Sequence, residues 1–204
     1  MKRTTLTLLC ILMACFAQAK SVKERQAEIR ELYKNVMHDI ELRSEEPHAL
    51  NKITVKMERN EAAVGIVEYT WELFFQGEND ERGEHYNLLF ARSRHHYIES
   101  MMPDTNEEFL FHPSNSRLLF YFRLDKNNTN GNDDDWHQVT TEERYYYNDD
   151  GSFHSRLVKA TDDTGAALPH FSFGTDKTAA AAFLKHANIP KTIFKTLSPN
   201  NRTC

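Results

Sequence analysis

From Lys52 to Ala160 the chain alternates apolar and polar residues in one run after another, with short turn-forming stretches between the runs. No other feature restricts the possible folds so strongly. Ile53, Val55 and Met57 alternate with Lys52, Thr54, Lys56 and Glu58, and Val67, Tyr69, Trp71, Leu73 and Phe75 alternate with Glu68, Thr70, Glu72 and Phe74. A period of two places one set on each face of a strand. The pattern resumes at Tyr86 to Phe90, His95 to Ile98, Glu108 to Phe111, Leu118 to Leu124, Trp136 to Tyr147 and Phe153 to Ala160. Stretches such as Pro113-Ser114-Asn115-Ser116 and Asn148-Asp149-Asp150-Gly151 separate them and supply hairpin turns. Parallel neighbours need a crossover of about a dozen residues or more. The spacing therefore predicts an antiparallel meander of six to eight strands.

Ahead of the strands, Ile29, Leu32, Tyr33, Val36, Met37 and Ile40 recur at helical spacing, with no Gly or Pro before Pro47. This predicts one amphipathic helix. A single helix covers a single sheet face, so the expected fold is α+β: an N-terminal helix packed on a curved meander whose outer face carries Thr, Glu, Arg and Tyr. Residues 162–174 read as loop, and Asp176 to His186, with four consecutive alanines, as a short helix ended near Pro190, after which the tail is expected to fray. The expected organisation is a leader over 1–19, a single α+β domain over 20–174, and the helix and tail over 175–204.

The leader reading rests on Lys2 and Arg3, the apolar run Leu6 to Ala14, and the exit Ala17-Gln18-Ala19. These are the three regions of a secretory signal, and the run is short of the roughly 20 residues that span a membrane. Export to the periplasm or the exterior follows. Leu12-Met13-Ala14-Cys15 carries a second reading, a lipobox with lipidation at Cys15. Cleavage after Ala19 leaves only Cys204, which excludes an internal disulfide framework. It also leaves 23 basic against 30 acidic residues, a balance that points away from nucleic acid.

The helix "IRELYKNVMHDIE", the segment "LLFARSRHHYIES", and the hairpins "FLFHPSNSRLLFYFRL" and "ERYYYNDDGSFHSRLV" together resemble a group of uncharacterised secreted proteins of the Bacteroidales type. The resemblance spans most of the mature chain and implies this architecture, with no activity attached. "YYYNDDGSFHSRLVKATDDTG" is similar to one unit of a YD-type repeat, but a lone copy reads as a hairpin.

The chemistry must be sought without a signature motif. Ten histidines include no H-x-x-x-H or H-E-x-x-H pair, and His95 and His96, adjacent on a strand, point to opposite faces. No metal and no cofactor are expected. "DKNNTNGNDDD", Asp125 to Asp135, fails as a calcium loop because Asn130 stands where Gly is needed and Trp136 where a bidentate acid is needed. It reads as a solvated hairpin tip. No G-x-S-x-G elbow and no internal cysteine nucleophile occur. Rings on both faces of several strands remain, among them Tyr121 and Tyr146, with Arg123 and Arg144 beside them. Some of these rings are expected to face outward and form a binding surface for a protein, peptide or glycan of the cell envelope. The competing reading pairs them across strands as core. An enzyme, hydrolase-like, with a site near His95 and Arg92 is the alternative function.

Overall fold

The computed structural model describes residues 21–43, 50–62, 64–80, 83–98, 104–130, 136–168 and 176–198. The expected leader with Cys15, the end with Cys204 and the tip 131–135 lie outside these residues. Helix α1 (Val22–Leu42) precedes β1 (Asn51–Glu61), β2 (Gly65–Asp80), β3 (Gly83–Tyr97), β4 (Thr105–Phe111), β5 (Leu118–Asn130), β6 (Trp136–Tyr147), β7 (Phe153–Thr161) and β8 (Ala167–Leu168). Helices α2 (Asp176–His186) and α3 (Asn188–Leu197) follow. All eight strands form one antiparallel sheet in sequence order, the predicted meander.

Local chemistry accounts for the connections. The β6–β7 turn places Gly151 at φ 84°, which suits a residue without Cβ, and its N–H donates to Asn148 O at 2.8 Å. Asp150 Oδ1 accepts from the Ser152 N–H and O–H. The β5–β6 hairpin is longer than its apolar pattern. Asp125 to Asn130, taken as part of a loop from the sequence, pairs in register with Thr141 to Trp136. Polar side chains can sit in a ladder whose bonds are all backbone, so composition alone hides such an extension.

Helix α1 begins with a capping box. Ser21 Oγ accepts from the Glu24 N–H, and the Glu24 carboxylate accepts from the Ser21 N–H. Its stripe joins Ile29 and Val36 to Phe74, Phe90, Leu110, Phe120 and Tyr146 in a buried cluster. Arg25 anchors the same helix to the β6–β7 corner: Nε and Nη2 donate to Tyr147 O at 3.2 and 3.0 Å, and Nη2 also to Asp149 Oδ1 at 2.7 Å.

The opposite face departs from expectation. It is covered, not solvated. Trp71, Leu73, Phe109, Tyr121 and Tyr145 form a second cluster under α2 and α3. Phe183 stacks on Tyr121 with centroids 4.3 Å apart, Phe194 lies 5.1 Å from Phe75, and Tyr147 donates its O–H to Ala180 O at 3.1 Å. The tail expected to fray after Pro190 is helical through Leu197. Pro190 sits in the first turn of α3, where a missing N–H forfeits no helical bond. The sheet has two apolar faces, and exposing either costs about 25 cal/mol per Å², so both ends of the chain are drawn onto it.

Candidate functional site

On the α1 face, residues of even number from β2 to β6 form successive rows. The innermost row runs Phe74, Phe90, Leu110, Phe120, Tyr146, and the next runs Glu72, Arg92, Glu108, Phe122, Arg144. Helix α1 packs on the first row, and the second lies at its margin. Two concavities meet there. One, of about 760 Å³, is lined by charged and polar side chains including Glu72, Arg92, Arg94, His96 and Glu108. The other, of about 500 Å³, lies against α1 and is lined by Ile29, Tyr33, Phe120, Phe122, Arg144 and Leu157 among others. Glu108 and Phe122 belong to both. Both volumes fall in the range of roughly 300–1,000 Å³ typical of small-ligand sites.

The charged half is ordered by ion pairs. Glu72 takes Lys52 and Arg92 together. Burial pushes its carboxyl up, but the hydrogen bonds from those two cations outweigh burial and hold it below the usual carboxylate range. Asp104 is likewise pushed up by burial and brought lower on balance by His96, whose Nδ1 lies 2.7 Å from Oδ1, and by Arg94, whose Nε donates to Oδ2 at 2.9 Å. Two guanidiniums are stacked over rings: Arg92 lies 5.5 Å from the Phe74 centroid and Arg144 lies 5.3 Å from that of Phe122.

Glu108 differs from these. It accepts the Tyr33 hydroxyl at 2.7 Å, and burial raises its carboxyl above the ordinary range despite that bond and the nearby Arg92 and Arg144. Burial is also the largest cause of the upward shift of the Tyr33 hydroxyl.

No protein-family model, curated protein or solved structure matches the chain. The site must therefore be read from its own side chains. Of the residues singled out from the sequence, Tyr146 and Arg144 lie on the α1 face and line the 500 Å³ concavity. Tyr121 and Arg123 lie on the opposite face, because odd and even positions of β5 and β6 point apart. The four do not make one surface. Tyr121 and Tyr146 are buried at 0% and 1% exposure, and the rings expected to face outward pair across strands, Phe120 with Tyr146 and Tyr121 with Tyr145. His95 and Arg92, three positions apart, are divided in the same way. Arg92 pairs with Glu72, while His95 Nε2 lies 3.8 Å from Glu107 Oε2 on the α2 side.

That side holds a buried polar network. Glu107, 2% exposed, accepts from Tyr121 O–H at 2.6 Å and Ser93 O–H at 3.0 Å, and His186 Nε2 of α2 stands 3.4 Å away. Glu107 and Glu108 thus serve different faces. Two adjacent acids entering an apolar strand, Glu107-Glu108-Phe109-Leu110-Phe111, were the available signal for both sites, since one face receives the buried Glu107 and the other the half-buried Glu108. Among the described residues no cluster of three or more His, Cys, Asp or Glu could hold a metal ion, and no helix is long and apolar enough to cross a membrane.

Proposed function

We propose that this is an exported α+β binding module that holds its ligand in the two-part cleft beside α1. One observation carries the reading: a charged concavity and a largely apolar one adjoin at Glu108 and Phe122, so one site offers both burial and orienting polar groups. Phe122 and Arg144, rather than Tyr121 and Arg123, supply the aromatic and guanidinium contacts on this side. A partner protein, peptide or glycan of the cell envelope is the ligand class that the export signal supports.

Export rests on Lys2, Arg3, the apolar run and the Ala17-Gln18-Ala19 exit. A cut after Ala19 leaves the Ser21–Glu24 capping box whole. Lipidation at Cys15 remains the alternative route to the envelope, and mass spectrometry of the mature N-terminus separates the two. The binding role is tested by presenting immobilised mature protein, and its Phe122→Ala and Arg144→Gln variants, to peptide and glycan arrays. Both substitutions are expected to weaken capture while near-ultraviolet circular dichroism stays native. Capture undiminished in both variants removes the cleft as the site.

A further inference from the structure

We infer that the concavity between α1 and the sheet takes an amphipathic anion, an acyl chain bearing a carboxylate, its chain on the apolar floor and its carboxylate at a cationic rim. The inference rests on the cleft proposed above as the binding site, and for the half nearest α1 it replaces the protein, peptide or glycan named there with an acyl-chain ligand.

The floor is apolar and continuous. Ile29, Phe120 and Tyr146 form its buried base, and Phe122 and Leu157 extend it toward solvent, with Leu157 38% exposed. A sugar, with hydroxyls around its ring, would leave those groups facing Ile29, Phe120 and Leu157 without partners, at a cost of about 1–3 kcal/mol for each group left unsatisfied. A methylene chain has no such groups.

The rim is basic. Arg30 and Lys34 lie four residues apart and so share one side of α1, and Arg144 reaches the same concavity from β6. Among the described residues Glu108 is the one acid in the lining; it is capped by the Tyr33 hydroxyl, and its burial favours the neutral form. Lys34 stands 3.7 Å from Glu31 on the exposed side of the helix, a pairing that solvent weakens. Arg144 gives one N–H to Glu142 at 2.7 Å, but a guanidinium carries five N–H donors and can serve a second carboxylate. Within the lining three cations stand against one acid, Glu108, which burial shifts toward its neutral form, although the chain as a whole carries a formal charge of −5; Glu31 and Glu142 lie outside that lining. Charge and apolarity thus select for the two ends of the same molecule.

The test is titration calorimetry of the mature protein with sodium dodecanoate below its micellar concentration, with dodecyltrimethylammonium and with acetate. Dodecanoate is expected to bind saturably and about tenfold or more tighter than the cationic chain, a difference of about 1.4 kcal/mol, with acetate undetectable. The Arg30→Gln/Arg144→Gln double variant should bring the two chains level, and Leu157→Asp should weaken dodecanoate. Near-ultraviolet circular dichroism reports whether each variant keeps its fold. Equal affinity of wild-type protein for both chains overturns the anionic assignment and leaves the binding cleft standing. Absence of saturable dodecanoate binding overturns the inference altogether, while the array experiment decides the cleft's binding role independently.

Discussion

The Tyr33 hydroxyl of α1 donates to Glu108 Oε2 of β4 at 2.7 Å, a side-chain bond that ties this helix to the centre of the cleft. It crosses from the apolar stripe of the helix to the first polar row of the sheet. Tyr33 also packs edge-on against Phe90 and Phe120, with centroids 6.0 and 5.7 Å away, and these contacts hold the ring whose hydroxyl meets the carboxylate. A carboxyl held in such surroundings affects stability in a pH-dependent way.

Burial raises Glu108 above its unfolded value, so the folded chain holds that proton more tightly than the unfolded one. The associated stability is complete below the unfolded pKa and is lost as pH rises through the folded one. Glu108→Gln, which keeps an acceptor for Tyr33, is expected to raise the thermal midpoint at pH 7.5, with the gain shrinking toward pH 4. Differential scanning fluorimetry across that range measures it, and a gain independent of pH would refute the assignment.

His95 shifts the opposite way. Burial lowers its pKa, outweighing the attraction of Glu107, while His186 and Arg123 push in the same direction as burial. The unfolded chain therefore takes up the proton first, and the stability that neutral His95 contributes is present above the unfolded pKa, about 6.5, and lost as pH falls toward the folded value. Urea unfolding should show a shallower decline from pH 7 to pH 5 in His95→Gln than in the wild type.

Arg25 is the anchor of α1. Its side chain is 7% exposed and satisfies Tyr147 O twice. Arg25→Ala leaves that carbonyl short of partners and is expected to cost about 2 kcal/mol. Arg25→Lys should recover only part of the loss, since an ammonium lacks the planar fork. Chemical denaturation at pH 7 reads both.

Phe194 decides whether the C-terminal segment is structural. It is 8% exposed and packs on Phe75 from α3. Phe194→Ala is expected to cost about 3 kcal/mol, measured by urea midpoint at constant slope. A change below about 0.5 kcal/mol, as for an ordinary surface site, would show that the segment contributes no packing.

Much of the fold was legible because period-two and period-3.6 patterns are local. The stripe from Ile29 to Ile40 and the alternation of β2 announced their elements directly. The cleft was less legible. Arg144, Tyr146 and Phe122 were marked by residue type, but Tyr33 and Glu108 were not, since their meeting depends on a helix docked across a strand more than 70 positions away. Strand parity could have separated Tyr121 from Tyr146 and His95 from Arg92 in advance. That both tyrosines are buried required knowing what covers each face.

The order of elements, the antiparallel pairing and the capped first helix follow from the sequence itself, because alternation, turn residues and caps act over a few neighbouring residues. Which end of the chain covers which face was settled only in the tertiary structure. A doubly aromatic sheet exposes apolar area on both sides until something is laid on each. The C-terminal helices meet that demand, with Phe183 of α2 and Ile193 and Phe194 of α3 packed against the sheet, and strand parity assigns Glu107 and Glu108, adjacent in sequence, to opposite sides of it.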